Sequence, residues 1–456
     1  MPPKKRRRKA QPAPAPAPPP PAPAPTAPLG PLQQLPAELC AMICEWLPQN
    51  DLIAAARISR TFRREAQRQI FRTVDIRGNR APWLWRWCIA INRTTYLAPY
   101  VRALYLDLPN PHRFDLSTVP DAERLLRALR KCARVKDYRI AVDWSSGYWD
   151  MDRASEWSGG QWLLAEARFR VTTFQNAYLF RGELAKQLWR QPELKILDLP
   201  TIQLGEKHEL RVLDDSKVLP NLIALGVDGT VPPENLPRSR RLERIQLHLH
   251  HVVHLIDHRY LTILARFSAS LTTLALVHFN FVRAIIVMPS LAVSLPHLVH
   301  LAITDEFEDK FKNSSIQEKW EGMMFAQYEV SAMTILPALR KFDRLETLVL
   351  HTYGARPSVF RDYVANRTPP FIPSMRAFAL NLMAGNAHLR QVHLGSFDLA
   401  LAPKVLRAKE IYRLKICEVT FSLLRRIVEG RNVFAGQAGR GFKFDEVSRF
   451  WDPYKR

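Results

Sequence analysis

Few residues suited to covalent or metal chemistry occur in this chain of 456 residues. It contains only five cysteines, and no two of them have the CxxC spacing of a zinc or redox site. The sequence also lacks a nucleophile elbow, a Walker loop, an HExxH pair and a GxGxxG turn. We therefore expect no intrinsic catalysis, assign no catalytic residue, and predict neither a metal nor a cofactor.

A secretory leader and an uninterrupted apolar run of membrane length are also absent. The basic N terminus continues into alternating proline and alanine rather than an apolar segment. Residues 284–303 hold no Asp, Glu, Lys or Arg, but Pro289 and Pro296 interrupt them. We interpret them as two strand-like pieces on either side of Pro296. The odd number of cysteines and the missing leader fit a reducing intracellular compartment. The interrupted apolar run argues against a membrane partner.

Residues 1–31 combine a run of cations with a spacer rich in proline and alanine. Such a composition cannot bury a core, so we predict a disordered tail. The cations match a nuclear localisation signal, which presents compact positive charge to the acidic groove of an import receptor. This predicts a location in the nucleus, with the cytoplasm left open as a second one. The residues of the signal are Lys4, Lys5, Arg6, Arg7, Arg8 and Lys9.

Positive charges exceed negative charges by 23 over the whole chain. Such an excess suits acidic partners such as nucleic acid. Six of these charges lie in the terminal run, and the rest are spread along the sequence. Because a spread charge indicates nucleic acid less strongly than a stripe does, we regard nucleic acid as an unlikely partner. A nuclear nucleic-acid-associated protein is kept as an alternative.

Residues 35–71 have the pattern of three short amphipathic helices. Pro36 suits the first turn of the first helix, and Pro48 closes it. Asn50 or Asp51 can cap the second helix, and Ser59 can cap the third. About forty residues bury too little surface for confident independent stability, so we expect this unit to dock against a neighbour or partner. The apolar positions that recur at helical spacing are Leu39, Ile43 and Leu47, then Leu52, Ala55 and Ala56, then Phe62, Ala66, Ile70 and Phe71, with Arg63, Arg64 and Arg68 on the other side of the third helix.

This stretch resembles the F-box, the adaptor-binding module of cullin-RING ubiquitin ligases. The family landmarks LPxEL, I, L, DL, (V/I)SR and F(R) occur in order and at the family's spacing between Leu35 and Arg63. The resemblance places an F-box at residues 32–77 and implies that Ile58 and Phe62 hold the helices together. It also implies contact with a Skp-type adaptor, and through it with a cullin-RING ligase, by Leu35, Pro36, Leu39, Ile43, Leu47 and Leu52.

Residues 78–100 carry three tryptophans in five residues, Trp83, Trp85 and Trp87. Stacking on a ligand is one interpretation of this cluster. Since tryptophan contributes large buried area wherever modules meet, we favour a connecting helix that packs beside its neighbours.

From residue 101 onward an apolar-x-x-apolar-x-apolar pattern recurs, beginning about every 20 to 47 residues. Helix-like pieces precede several copies, as residues 121–132 do before Val135. A helix followed by a short strand, repeated, builds a solenoid with parallel strands on its concave side. The copies begin at Val101, Val135, Val171, Leu194, Leu222, Leu242, Leu271, Leu298, Leu345 and Leu389.

The repeats resemble the leucine-rich-repeat-like region that follows the F-box in many F-box proteins, especially the divergent fungal kind. LPNLIALGV and LPHLVHLAI are similar to its LPxLxxLxL phrase. The consensus asparagine after the strand is mostly absent, so we expect an irregular array. The predicted fold is α/β: a three-helix F-box, then a leucine-rich-repeat-like solenoid over residues 101–420, then a C-terminal cap over residues 421–456.

In each copy, the residue between the last two apolar positions faces away from the core, onto the concave side. The mixed chemistry of these residues suggests a protein epitope rather than a small ligand. The predicted partner-binding residues are Tyr105, Arg139, Asp198, Gln246 and His393.

Five histidines crowd residues 248–258. On a helix, His250, His254 and His258 would align at ligand spacing for a metal. The preceding LERIQLHLH has the alternation of a strand, which places His248 and His250 opposite the core. We therefore predict a polar strand and loop there rather than a metal site.

The resemblance to F-box proteins, together with the repeats, implies a non-catalytic substrate-recognition subunit of an SCF-type E3 ubiquitin ligase. The F-box would bind the adaptor, and the solenoid would bind an unidentified target protein. Besides the nucleic-acid-associated protein, an F-box scaffold acting outside ubiquitin transfer is left open.

Overall fold

The computed structural model of the chain divides into two compact units, residues 1–70 and residues 71–456. The residues that the structure describes are 35–77, 81–108, 120–142, 168–176, 188, 190–199, 215, 217–228, 240–249, 264–277, 281–304, 336–352, 371–404, 411–428, 431–439 and 448–452.

Within the described residues, the first unit contains helices α1 (Ala37–Trp46), α2 (Gln49–Ala55) and most of α3 (Arg60–Arg72), whose last two residues fall in the second unit. The Ser59 hydroxyl accepts a hydrogen bond from the amide of Phe62 at 3.2 Å, as predicted for an N-cap of α3. The prediction for α2 is wrong. Its N-cap is Pro48 without a side-chain cap, so Asn50 and Asp51 lie inside the helix.

The core of this unit combines small side chains with the larger Leu52 and Phe62. Both cysteines of α1 are buried, and desolvation raises the pKa of each thiol. They pack with the other buried residues and with partly buried Leu35, Leu47, Ile58 and Ile70. The buried members of this core are Cys40, Cys44, Leu52, Ala55, Phe62 and Ala66.

The described part of the second unit contains one sheet of thirteen strands, which lie side by side in sequence order. Neighbouring strands from β1 to β11 are parallel, and β11, β12 and β13 pair antiparallel. The strands are β1 (Thr73–Ile76), β2 (Ala103–Leu108), β3 (Asp137–Val142), β4 (Thr173–Asn176), β5 (Ile196–Leu199), β6 (Ala224–Asp228), β7 (Arg244–His248), β8 (Thr273–Val277), β9 (His300–Thr304), β10 (Thr347–Thr352), β11 (Gln391–Lys404), β12 (Ile411–Val428) and β13 (Arg431–Gly439).

The ten predicted copies of the repeat coincide with the ten strands β2 to β11. The first apolar residue of every copy is buried. The residue after it donates its amide proton to the equivalent carbonyl of the preceding copy, for example Lys195 to Thr172 and Glu346 to Val299, both at 2.8 Å. This recurring bond aligns the copies although the lengths between them vary. It explains how a parallel sheet forms without the consensus asparagine.

Among the described residues of the second unit, four helices connect strands: α4 (Ala81–Arg93), α5 (Pro120–Lys131), α6 (Phe281–Ser294) and α7 (Phe371–Gly385). Apolar residues of these helices and of alternate strand positions form one continuous core. The expectation of two strands around Pro296 is half wrong. The piece after Pro296 is β9, whereas the piece before it belongs to α6, which accommodates Pro289 within the helix. Within the described residues, no helix is both long and apolar enough to cross a membrane.

Two predicted domain boundaries do not coincide with the ends of the units in the structure. Residues 73–76 lie in the predicted F-box range, but as β1 they pair with β2 in the second unit. The boundary between residues 420 and 421 lies inside β12, which pairs with β11 over residues 411–424 and with β13 over residues 420–428. Antiparallel pairing needs no crossover helix, so the strands continue where the repeat pattern ends.

Candidate protein-binding surfaces

Helix α1 is apolar on both of its sides. Its inner side carries the buried cysteines, while its outer stripe consists of Leu39, Met42, Ile43 and Trp46. These four side chains recur at i, i+3, i+4 and i+7, the spacing of one helix face. Their exposed fractions are 45, 57, 38 and 87%. Exposed apolar side chains grouped in this way mark interaction sites more often than those scattered singly.

The six residues predicted to bind an adaptor differ in exposure. Leu39 and Ile43 are exposed on the outer stripe, and Pro36 is exposed at the start of α1. Leu35 and Leu47 are half-buried against the unit's core. Leu52 is only 5% exposed, so in this structure it stabilises the helices rather than offering surface. Sequence reasoning missed Met42 and Trp46, although their spacing from Leu39 was a visible signal.

The five predicted partner-binding residues lie in one row across the sheet. In-register pairing in this row puts its side chains on the sheet face opposite the apolar core, here called the ladder face. Tyr105, Arg139, Asp198, Gln246 and His393 therefore share one face, although up to 288 residues separate them in sequence. The row runs Asp75, Tyr105, Arg139, Gln175, Asp198, Gly226, Gln246, Ala275, Ala302, Val349, His393 and Ser422.

A buried carboxylate, Asp198, lies at the centre of this row. Gln175 donates to one of its oxygens at 3.0 Å, and His248 Nε2 lies 2.7 Å from the other. Gln246 reaches the same carboxylate at 3.4 Å from the far side of β6. Gly226 makes this possible, because a Cβ there would lie 1.9 Å from the Asp198 oxygen. The cluster joins β4, β5 and β7 over a glycine on β6.

Cations and an aromatic ring stack at the N-terminal end of the ladder face. Arg139 forms a two-pronged ion pair with Asp137, at 3.0 Å for each contact. The Tyr105 hydroxyl donates to the same carboxylate at 2.7 Å. The guanidinium groups of Arg77 and Arg139 lie 5.0 and 4.7 Å from the Tyr105 ring centre. Burial and the neighbouring Asp137 carboxylate raise the pKa of the Tyr105 phenol, so it remains a hydrogen-bond donor.

A short C-terminal segment, Ser448–Asp452, lies on the ladder face and is called the C-terminal strap here. Phe450 and Trp451 pack on Ile196 and Ala224 in a small cluster separate from the main core. The Arg139 guanidinium lies 4.0 Å from the Trp451 ring centre. Part of the predicted partner surface is therefore occupied by the chain itself. The sequence pattern had marked residues 421–456 as a cap without indicating where they lie.

Arg244 holds the C-terminal strap through hydrogen bonds to its backbone carbonyl groups. One terminal nitrogen of this buried guanidinium lies 3.2, 3.1 and 2.6 Å from the carbonyl oxygens of Arg449, Phe450 and Asp452. Arg449 itself has φ 54°, a left-handed conformation unusual for a side chain of this size, and donates to the Gln391 amide oxygen at 3.0 Å.

Two histidines of the ladder face accompany Arg449. Burial, with smaller contributions from Arg449 and His393, lowers the pKa of His300 to about 3. Burial and Arg449 also lower the pKa of His393 to about 4. Both imidazoles are therefore neutral at pH 7, and His393 Nδ1 lies 2.8 Å from the Ser422 hydroxyl.

No group of three or more His, Cys, Asp or Glu residues in the described part of the chain could hold a metal ion. His248 lies on strand β7 and contacts Asp198. His250, His254 and His258 lie outside the described residues, as do the predicted disordered tail and the nuclear localisation signal within it.

The three tryptophans lie on one helix, α4, as the connecting-helix interpretation requires. Trp87 is buried and Trp85 partly buried in the core of the second unit. Trp83 is 58% exposed, and Arg86 lies 5.2 Å from its ring centre. Two of the three indoles therefore serve packing.

Comparison with known proteins identifies the helical unit. Residues 32–77 match the F-box-like family model. No curated protein matches the chain. Among solved structures, the chain is similar to the leucine-rich repeat-containing protein LegL7 from Legionella pneumophila, with a TM-score of 0.39 and 16% identity over 65% of this chain and 83% of that one. The chain therefore carries an F-box-like domain, followed by the α/β repeat region with its parallel sheet.

Proposed function

We propose that this chain is the substrate-recognition subunit of an SCF-type ubiquitin ligase. Its F-box-like domain would bind a Skp-type adaptor, and the sheet of the second unit would bind a target protein. Catalysis would belong to the cullin-RING partners, since F-box-like domains are modules of protein interaction. The observation that carries the proposal is the outer stripe of α1, which is apolar, exposed and located within the F-box-like match.

Exposure of the outer stripe makes a clean test feasible. Aspartate at Leu39 and Ile43 would leave the buried side of α1, Cys40 and Cys44, untouched. We expect the L39D/I43D double variant to keep its helical circular dichroism and to lose adaptor binding by at least about 100-fold, because charge would be desolvated at the contact. Calorimetric titration of the full chain with purified Skp-type adaptor measures this loss.

Val293→Asp is the matched control. It also places a carboxylate on an exposed apolar residue, 74% exposed on α6, outside the F-box-like domain. Adaptor affinity should be unchanged in this variant. Adaptor binding that survives L39D/I43D, or no binding by the wild-type chain, would rule the proposal out.

We also infer that Lys4–Lys9 direct the chain to the nucleus. Six consecutive cations on a tail rich in proline and alanine suit an acidic receptor groove. Replacing all six with glutamine should move a fluorescently tagged chain from the nucleus to the cytoplasm. Glutamine keeps the length and polarity, so an unchanged nuclear signal would contradict this assignment.

A further inference from the structure

The C-terminal strap lies on a surface with three distinct recognition features. Ile196 and Ala224 provide an apolar floor for the aromatic pair. The Arg139 guanidinium covers the Trp451 indole, a cation–π contact. Arg244 donates hydrogen bonds to three backbone carbonyl oxygens, and such contacts do not depend on the side chains of the bound segment. Together these features describe a site for a peptide, not merely a contact between neighbouring strands.

The contacts between the C-terminal strap and this surface are not optimal. Within the described residues, the buried Trp451 Nε1 donor and the Gln246 Oε1 acceptor have no hydrogen-bond partner. A buried polar group without a partner destabilises the state that contains it, because its desolvation is not compensated. The left-handed backbone of Arg449 adds strain. A segment with the same aromatic pair but better placed polar atoms could therefore bind more tightly than the strap does.

We propose that this part of the ladder face is a peptide-binding site for a partner segment with two adjacent aromatic residues, and that the C-terminal strap is its resident occupant. The inference rests on the proposed role of the sheet in binding a target protein. It adds the chemistry of the recognised segment and a condition for recognition. A target must displace Phe450 and Trp451 before it can bind.

Covalent attachment favours the strap in this competition. Binding of a tethered segment is intramolecular, so a peptide free in solution competes at a disadvantage. A peptide of the same sequence added in solution should bind the wild-type chain poorly. Weakening the strap without removing it should open the site, since Arg139, Ile196 and Arg244 would remain in place.

The test uses the full-length chain and a fluorescent peptide of residues 446–456, EVSRFWDPYKR. We expect anisotropy titrations to show at least about tenfold tighter peptide binding by the F450A/W451A variant than by the wild type. Adding Arg244→Gln to that variant should reduce the affinity at least about tenfold, because the carbonyl contacts are lost. A control peptide with both aromatic residues replaced by alanine should not bind.

Several results would overturn the proposal. One is a cooperatively melting F450A/W451A chain that ignores the peptide, and another is equal binding of the alanine peptide. If the double variant does not melt cooperatively, Trp451→Ala alone replaces it. This single change weakens the strap, while Phe450 keeps Ile196 and Ala224 covered and so preserves the fold. The same two outcomes then overturn the proposal. Adaptor binding is measured on the same samples. Absence of adaptor binding by the wild-type chain would count against the ubiquitin-ligase role, while its presence would not rescue the peptide site, so the two failures are distinguishable.

Discussion

Gly226 allows the Asp198 side chain to extend across β6. A Cβ at this position would lie 1.9 Å from the Asp198 Oδ1 atom and 3.2 Å from its Cα. We expect Gly226→Ala to displace the carboxylate from Gln175 and His248 and to lower the free energy of unfolding by about 1–3 kcal/mol. Urea unfolding followed by circular dichroism measures the loss.

A double-mutant cycle separates this clash from a general effect of the added methyl group. In an Asp198→Ala background the carboxylate is absent, so Gly226→Ala should cost much less than in the wild type. The same loss in both backgrounds would show that the contact between Asp198 and Gly226 is not the cause.

His300 and His393 predict the pH dependence of stability. Their pKa values, about 3 and about 4 in the folded chain, lie below the ordinary 6.5. Below pH 6.5 these two histidines bind protons in the unfolded chain but stay neutral in the folded chain. The free energy of unfolding that they contribute above pH 6.5 is therefore lost as the pH falls toward 4. Each histidine contributes a slope of up to about 1.4 kcal/mol per pH unit.

His300→Gln removes one of these titrating groups. We expect urea unfolding between pH 5 and pH 6.5 to show a shallower dependence on pH in this variant than in the wild type. His388→Gln serves as the control, since it replaces an exposed histidine and leaves the buried pair in place. Parallel pH curves for the wild type and His300→Gln would refute the assignment.

Among the helices, the cap of α3 gives the most direct prediction. The Ser59 hydroxyl satisfies the Phe62 amide, and Phe62 is buried in the core of the first unit. Ser59→Ala should destabilise that unit by about 1 kcal/mol, whereas Ser59→Asp should retain the cap. Hydrogen exchange at the first amides of α3 reports the difference. Equal protection in the alanine and aspartate variants would show that the hydroxyl does not matter.

The strands could be predicted where the repeat pattern shows both which side chains face the core and where each strand begins. Each copy from Val101 to Leu389 forms a strand, because its apolar residues occupy alternate positions and so all face the core. Strand β1 was missed, since TVDI is a single short alternation directly after α3. Strands β12 and β13 were missed because antiparallel pairing does not follow the repeat that identified the others.

The surfaces were less predictable than the strands. The alternation rule placed Tyr105 and His393 on one face, yet nothing local to Arg244 indicates that it holds residues 205 to 208 positions away. On α1, periodicity alone could not decide which apolar side is buried. Cys40 and Cys44 pack inward because small side chains allow the helices to approach closely, which leaves the larger Leu39 and Ile43 outside.

Across the whole molecule, the excess of 23 positive charges raises the question of nucleic acid. Arg60, Arg64 and Arg68 are exposed and recur four apart on α3, which makes them a basic stripe on the described helices of the first unit. Three arginines neutralise about three phosphates, fewer than the roughly six to ten contacts that give strong salt-dependent binding. We therefore expect the stripe to be too weak for binding in physiological salt.

Filter binding of a single-stranded DNA oligonucleotide tests this expectation on a chain whose Lys4–Lys9 run is replaced by glutamine. At about 150 mM salt, where charge interactions are screened beyond about 8 Å, no DNA should be retained. Adaptor binding, which depends on apolar contact, should be unchanged on the same sample. Retention that falls steeply with salt and disappears when Arg60, Arg64 and Arg68 become glutamine would instead favour a nucleic-acid role, because release of counterions is its signature.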